Sequence, residues 1–180
     1  MTEIKHISLT ETAKILRNAL KLEFPKSSFS VRSESYAGGS SIMIEWTDGD
    51  SVEAVQKLAD KFAGASFDGS IDLKSYITQE YNGEKVYFGC DWVHTNRHIS
   101  EEQNKRIAEF FKSIYDLKEN IDDLSRSFDF QGDFVNFYQL IWRYTYNKSV
   151  EEFCKDTLFK SLNAKGKIKN ETKNKRRNRK

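Results

Sequence analysis

Apolar residues first recur along the chain at helical spacing. Four of them lie at intervals of four, three and four positions: Leu9, Ala13, Leu16 and Leu20. This spacing places them on one face of an α-helix. Ser8 and Glu11 have the spacing of a capping box at its start, and Pro25 is expected to end it.

A period of two follows the first helix. The segments at about 28–34 and 41–46 alternate apolar and polar residues, which predicts two strands. Between them lies the sequence YAGGSS, which we interpret as a wide connection. Its glycines also suggest a nest of backbone N–H groups that could bind phosphate. However, it lacks the helix N-terminus and the Lys-Ser/Thr pair of a P-loop, so the connection is favoured.

The pattern then returns to a helix and two more strands. Asp50 or Ser51 is predicted to cap a helix whose apolar face runs from Val52 to Phe62. Strands are expected at about 73–81 and 85–93, joined by an Asn-Gly turn at Asn82 and Gly83. The order α-β-β-α-β-β predicts an α+β domain at 1–99, with two helices on one face of an antiparallel sheet.

Residues 100–164 have a different pattern, which predicts a mainly helical C-terminal region. A long helix should begin after the capping box that opens at Ser100, and FDFQGD interrupts the pattern. The aromatic segment from Phe134 to Tyr146 favours a helix by its spacing, although its aromatic residues also suit a strand. A last helix is predicted from Ser149 to about Leu162.

The charge of the chain is unevenly distributed. The formal net charge of the 180 residues is +2, but 165–180 hold nine basic residues and one acidic residue and carry +8. Residues 1–164 hold 20 basic and 26 acidic residues and carry −6. The last segment is of low complexity without an apolar face, so we predict a basic tail that is disordered on its own.

No group of residues suggests catalysis or a cofactor. His94 and His98 lack a third ligand at metal spacing, and Cys90 and Cys154 match no metal or redox spacing. The chain shows no pattern of a signal peptide or a transmembrane span. We therefore expect a non-enzymatic intracellular protein without cofactor, small-molecule substrate or membrane partner.

Two charged segments are candidates for binding. The segment 115–133 has six acidic residues interleaved with aromatic ones, and an acidic patch of this kind can dock on a basic protein surface. The six are Asp116, Glu119, Asp122, Asp123, Asp129 and Asp133. The other segment is the basic tail, where six side chains are candidates for contact with nucleic acid: Lys173, Lys175, Arg176, Arg177, Arg179 and Lys180. A solvated helix and a solubility tail are the simpler alternatives.

Three segments carry a resemblance to a known family. FSVRSESYAGGSSIMIEWTDG, FAGASFDGSIDLKSY and YFGCDWVHTNRHIS each combine glycine, aromatic and charged residues, and they occur in this order. Together they resemble a large polyvalent-protein-associated domain of phages and conjugative elements, over residues 5–100. The resemblance implies a small α+β accessory module of mobile genetic elements without an established enzymatic activity.

The architecture implies a more specific function. A module of this kind followed by a short helical region is similar to anti-CRISPR proteins, some of which inhibit the type II nuclease Cas9. This implies Cas9 or its guide RNA complex as partner, in the cytoplasm of a bacterial host. The alternative is an accessory or regulatory protein that binds nucleic acid directly.

The resemblance also suggests a second binding surface. The glycine-rich loops of the three segments are expected to cluster at one end of the sheet. Five side chains would then face a common surface: Arg32, Tyr36, Asp68, Lys74 and Arg97. Such a cluster could bind a partner or interlock the fold.

Overall fold

The computed structural model describes residues 4–157, so the basic tail lies outside the described residues. The fold is α+β, as predicted, and the chain divides into two compact units between Ile99 and Ser100. The N-terminal unit contains, in chain order, β1 (Lys5–Ile7), α1 (Leu9–Glu23), β2 (Phe29–Tyr36), β3 (Gly39–Thr47), α2 (Val52–Ala59), a 3-10 turn (Asp60–Phe62), β4 (Ala65–Asp68), β5 (Leu73–Tyr76), β6 (Gln79–Tyr81), β7 (Glu84–Phe88) and β8 (Trp92–His98).

The helices of this unit begin and end where the sequence predicts. The Ser8 hydroxyl accepts a hydrogen bond from the Glu11 N–H and caps α1, and Ser51 caps α2 in the same way. The predicted apolar faces belong to one hydrophobic core together with Ile42, Ile44 and Trp46, which alternate inward on β3. Burial of each such side chain stabilises the fold by about 1.5–3 kcal/mol.

The strands form three small sheets in this unit. Their orders are β2-β3-β8, β1-β7-β6 and β4-β5. Most pairs are antiparallel, but β3 with β8 and β1 with β7 are parallel. Each parallel pair joins segments that are far apart in sequence, so no local pattern indicates it.

The two strands predicted at 73–81 and 85–93 are each divided between two sheets. Strand β5 pairs with β4, whereas β6 pairs with β7 across the predicted Asn82-Gly83 turn. After β7, the Gly89 N–H donates to the carbonyl of Ile7 and the Asp91 N–H to that of Ser40. The chain therefore passes from one sheet to another at Gly89, and β8 begins at Trp92.

The connection at Tyr36 is not wide, contrary to the prediction. Tyr36 pairs directly with Gly39, so only Ala37 and Gly38 form the turn, with Gly38 at a φ of 91°. The small residues that follow, at 39–41, are the start of β3. A small residue is needed at Gly39 because a carboxylate lies against it. A Cβ at Gly39 would lie 2.8 Å from Asp91 Oδ2.

The C-terminal unit contains two helices, a hairpin between them and the start of a further helix. Its elements are α3 (Glu101–Tyr115), β9 (Phe128–Phe130), β10 (Asp133–Val135), α4 (Phe137–Thr145) and a helix α5 that begins at 150 and reaches 157, the last described residue. The hairpin occupies the predicted interruption, where Gln131 and Gly132 turn the chain with positive φ. The aromatic segment is thus divided between β10 and α4.

Aromatic contacts build the core of this unit. The Phe111 ring lies 5.4 Å from the rings of both Tyr144 and Phe153, and Phe128 lies 4.8 Å from Phe137. Offset and edge contacts of this kind add to the hydrophobic stabilisation of a core. They join α3, α4, α5 and the hairpin around one buried centre.

Candidate functional site

The C-terminal unit has a row of exposed aromatic side chains on α4 and beside it. Its members are Phe134, Tyr138, Trp142 and Tyr146, and we call this row the aromatic face. Tyr138, Trp142 and Tyr146 follow one another at intervals of four along α4 and its C-cap, which places them on one side of the helix, and Phe134 on β10 lines the same groove as Tyr138 and Trp142. Trp142 is 67% exposed and Phe134 78%, an unusual state for such large apolar rings.

The start of α4 decides which aromatic residues face outward. The Asn136 side chain accepts from the Gln139 N–H, and the Gln139 side chain accepts from the Asn136 N–H, which fixes the first turn. Phe137, Leu140 and Ile141 then point into the core. The opposite side of the helix, with Trp142, therefore points outward.

Carboxylates surround the aromatic face. Asp133 forms an ion pair with Arg143 at 3.0 Å, and the Tyr138 hydroxyl donates to Glu101 Oε2 at 3.1 Å. This hydrogen bond raises the pKa of Tyr138, with smaller contributions from burial and from the negative charges of Glu101 and Asp123. The surface combines flat apolar rings with negative charge.

The six acidic residues of 115–133 are exposed or half-buried, but several serve the local backbone. Asp123 accepts from Ser125, which lowers the pKa of the Asp123 carboxyl, and Asp129 accepts from the Gly132 N–H. Asp116 ends α3 in the left-handed conformation. The other three acidic residues lie at different places on the surface of this unit. Asp122 is exposed, Asp133 borders the aromatic face, and Glu119 lines a small groove beside Arg126.

The expected cluster of five residues in the N-terminal unit forms only in part. Lys74 Nζ lies 3.3 Å from the carbonyl of Gly38, beside the turn that follows Tyr36. Arg97, in contrast, is opposite Trp46 at the other end of β3. At about 3.3 Å per residue, this end lies roughly 23 Å from Gly39, so the expected clustering of Arg97 with Tyr36 is wrong.

The remaining two members have local partners. Arg32 forms an ion pair with Glu45 on the neighbouring strand β3. Asp68 accepts two hydrogen bonds from Ser70, which lower the pKa of its carboxyl and shape the turn of the β4–β5 hairpin. Neither contact joins these residues to Lys74.

A buried carboxylate links the three segments that carry the family resemblance. Asp91 Oδ2 accepts from the Ser40 N–H at 2.8 Å and from Lys74 Nζ at 2.9 Å. The hydrogen bond to Asp91 also raises the pKa of the Lys74 ammonium. We call Gly38, Ser40, Lys74 and Asp91 the Asp91 cluster. These contacts favour the interpretation that Lys74 interlocks the fold. They also argue against a phosphate site in this turn, because the Ser40 N–H already donates to Asp91.

The histidines and cysteines have structural surroundings. His94 and His98 both lie on β8, where four residues span about 13 Å, too far apart for one metal ion. Within 4–157 there is no group of three or more His, Cys, Asp or Glu that could hold a metal. No helix in this part of the chain has the length and apolar character to cross a bilayer.

Cys90 is predicted to be unreactive in the folded protein. Its burial raises the pKa of the thiol to about 12, so the reactive thiolate is scarce at pH 8. A thiol reagent such as DTNB should therefore modify half-buried Cys154 first and Cys90 only after denaturation. Mass spectrometry of the modified peptides measures this. Rapid modification of Cys90 in the native protein would contradict it.

The aromatic face was missed by sequence reasoning, which treated the aromatic segment as a core helix. The available indication was that apolar and aromatic residues cover more than half of the circumference of α4, which is wider than one buried face requires. The nucleic-acid candidates, Lys173 to Lys180, lie outside the described residues.

Comparison with known proteins gives one match. The model of a family described as large polyvalent protein associated domain 29 matches residues 7–100. No curated protein and no solved structure shows a significant match to the chain. The matched region ends just before α3, so the aromatic face lies outside it.

Proposed function

Since this chain belongs to the family of large polyvalent protein associated domain 29 and is thus associated with mobile genetic elements, we propose that it is an anti-CRISPR protein that inhibits a type II Cas9 nuclease. It binds Cas9 or the Cas9–guide RNA complex and blocks DNA binding or cleavage, without catalysis of its own. It acts in the cytoplasm of the bacterial host cell, where nuclease and invading DNA meet.

The observation that carries this proposal is the aromatic face with its surrounding carboxylates. Aromatic side chains are enriched among the residues that dominate binding energy at protein interfaces. Carboxylates favour a positively charged partner and accelerate its encounter. Both properties suit a protein surface that normally holds nucleic acid.

Cas9 offers surfaces of this kind. Its RNA–DNA heteroduplex lies in a positively charged channel, and basic side chains also stabilise the displaced DNA strand. A folded protein that docks on such a surface with an acidic face excludes DNA by its volume and by neutralising the charge that attracts phosphate. Inhibition of this type requires a stable complex and no chemical reaction.

An order-of-addition cleavage assay tests the proposal. The full chain is added to a purified Cas9–guide complex before or after target DNA. Competition for a DNA-binding surface predicts inhibition only when the protein is added first. Inhibition in both orders would instead indicate a block of cleavage or of a conformational change, and lack of inhibition with several Cas9 subtypes would refute the function.

Trp142→Ala should weaken the inhibition about tenfold or more, because an exposed tryptophan at the centre of an interface commonly contributes over 1.4 kcal/mol. The concentration for half-maximal inhibition measures the effect. Tyr76→Ala is the matched control, since Tyr76 is 66% exposed but belongs to the N-terminal unit. Equal losses from both variants would argue against the aromatic face as the binding surface.

The basic tail supports a second candidate, an accessory protein that binds nucleic acid directly. Its formal charge of +8 is sufficient for phosphate contacts whose strength falls steeply with salt. A gel shift of duplex DNA that is lost with Arg176, Arg177 and Arg179 changed to Gln would support this function. If the same variant inhibits Cas9 normally, the tail has no part in the inhibition.

A further inference from the structure

We infer that the aromatic face recognises an arginine side chain of its protein partner, seated between the rings of Phe134 and Trp142 and beside Asp133. The inference rests on the proposed function, because it names the chemical group on the partner that the same site binds. Two observations support it: the aromatic lining of the groove next to α4, and the negative charge around this groove.

The groove has the lining that recognition of a guanidinium group requires, and it has ample room for one. Its volume is about 640 Å³, and its walls include Phe134, Tyr138 and Trp142. Arginine stacks its planar group on aromatic rings, and tryptophan provides the most favourable ring for a cation. Asp133, at one edge, supplies a carboxylate that can accept two parallel N–H bonds.

The protein already holds one guanidinium at this carboxylate. Arg143 Nη1 lies 3.0 Å from Asp133 Oδ2, and the two side chains are 50% and 61% exposed. An exposed ion pair of this kind is weak in water, so a partner can replace it. Arg143 therefore competes with the incoming arginine for Asp133.

The balance of charge around the groove favours a cation over a phosphate. Two carboxylates lie here, Asp133 in the wall and Glu101 at the Tyr138 hydroxyl. Arg143 is the basic residue that lines the groove. A phosphate group of nucleic acid would meet net repulsion, whereas an arginine on a protein would be attracted.

Lysine fits this site less well than arginine. Its ammonium is a compact and strongly hydrated charge that can lie over a ring, as Lys74 lies over Tyr76, but it has no planar group to stack and cannot bind a carboxylate through two parallel N–H bonds. Stacking and bidentate contact together predict a preference for arginine of about tenfold. This preference separates recognition of a side chain from general attraction between opposite charges.

The inference is tested by ¹⁹F NMR on the full chain labelled with 5-fluorotryptophan. The chain has three tryptophans, so three ¹⁹F resonances are expected. The Trp142 resonance is assigned with Trp142→Phe. The probes are an alternating Arg-Gly peptide, the matching Lys-Gly peptide and a single-stranded oligonucleotide. The Arg-Gly peptide should shift the Trp142 resonance and bind about tenfold more tightly than the Lys-Gly peptide.

Two variants distinguish the role of each side chain. Arg143→Gln should strengthen binding of the Arg-Gly peptide about two- to fivefold, because the competing guanidinium is removed. Asp133→Asn should weaken it, and thermal melting verifies that both variants remain folded. Any of three results would overturn the inference. The two peptides could bind equally well, the Trp142 resonance could shift with the oligonucleotide but with neither peptide, or Arg143→Gln could bind the Arg-Gly peptide more weakly.

The peptide-binding experiment and the Cas9 cleavage assay can succeed or fail independently of each other. Arginine-selective binding without inhibition of any Cas9 would support the site and refute the nuclease as its partner. Inhibition of Cas9 that depends on Trp142, without preference for the arginine peptide, would refute the inference and retain the function.

Discussion

Gly64→Ala should destabilise the N-terminal unit by about 3 kcal/mol or more. A Cβ at this position would lie 2.1 Å from the carbonyl oxygen of Phe88 and 3.1 Å from that of Cys90. Both obstacles are backbone atoms, which cannot rotate away as a side chain could. Overlap in a packed region commonly costs about 1–3 kcal/mol, and a clash with fixed backbone belongs at the upper end.

The same glycine also joins two parts of the unit by hydrogen bonds. Its N–H donates to the carbonyl of Cys90 at 2.7 Å, and its carbonyl accepts from the Ile77 N–H at 2.9 Å. Moving the backbone to accommodate a methyl group would lengthen both bonds. The strain therefore cannot be relieved without losing other contacts.

Urea unfolding measures the effect, with fluorescence as the probe. Trp142→Phe serves as the background, so that Trp46 and Trp92 report on the N-terminal unit alone. Gly69→Ala is the matched control, because its Cβ would meet only the Phe67 ring at an ordinary 3.8 Å. If the two variants unfold at the same urea concentration, the close approach at Gly64 is not required by the fold.

Asp91→Ala should be the second strongly destabilising change, with a loss of about 2–4 kcal/mol. The Asp91 side chain is only 7% exposed and accepts hydrogen bonds from the Ser40 N–H and from Lys74. Removing it takes the charged acceptor from the half-buried Ser40 N–H, and a hydrogen bond to a charged group contributes about 1.5–3 kcal/mol. The ion pair with Lys74 is lost as well, although the Lys74 side chain is 25% exposed and its ammonium can turn to solvent.

Asp68→Ala provides the comparison for this change. Asp68 is an exposed carboxylate whose hydrogen bonds go to Ser70 within the same turn, so its removal should have little effect on unfolding. The assay is the same urea titration. Similar midpoints for the two variants would mean that the Asp91 cluster does not interlock the unit.

The Asp91 cluster gives the glycine-rich sequence at Tyr36 to Ser41 a physical role. Gly39 leaves space for the carboxylate, and the Ser40 N–H donates to it. Lys74 reaches the same carboxylate from the β4–β5 hairpin. The three segments that resemble the family therefore meet at one carboxylate, and the binding surface we propose lies in the other unit, on α4.

Local chemistry allowed much of the fold to be predicted from the sequence. Ser8, Ser51 and Ser100 each cap a helix because a hydroxyl satisfies a free N–H three residues along the chain. The alternation in β3 and the turn at Asn82 and Gly83 depend on neighbouring residues in the same way. Such features arise within a few residues, so spacing alone determines them.

Contacts between distant segments decided the rest. Nothing near β3 indicates that it pairs in parallel with β8, because that pairing depends on where Gly89 and Asp91 carry the chain. The exposure of Trp142 was equally hidden, since an aromatic residue at helical spacing is buried only if another element covers it. The sequence determined where α4 could form. Tertiary packing buries only one side of this helix within the part of the chain that the structure describes, and the aromatic face is therefore exposed.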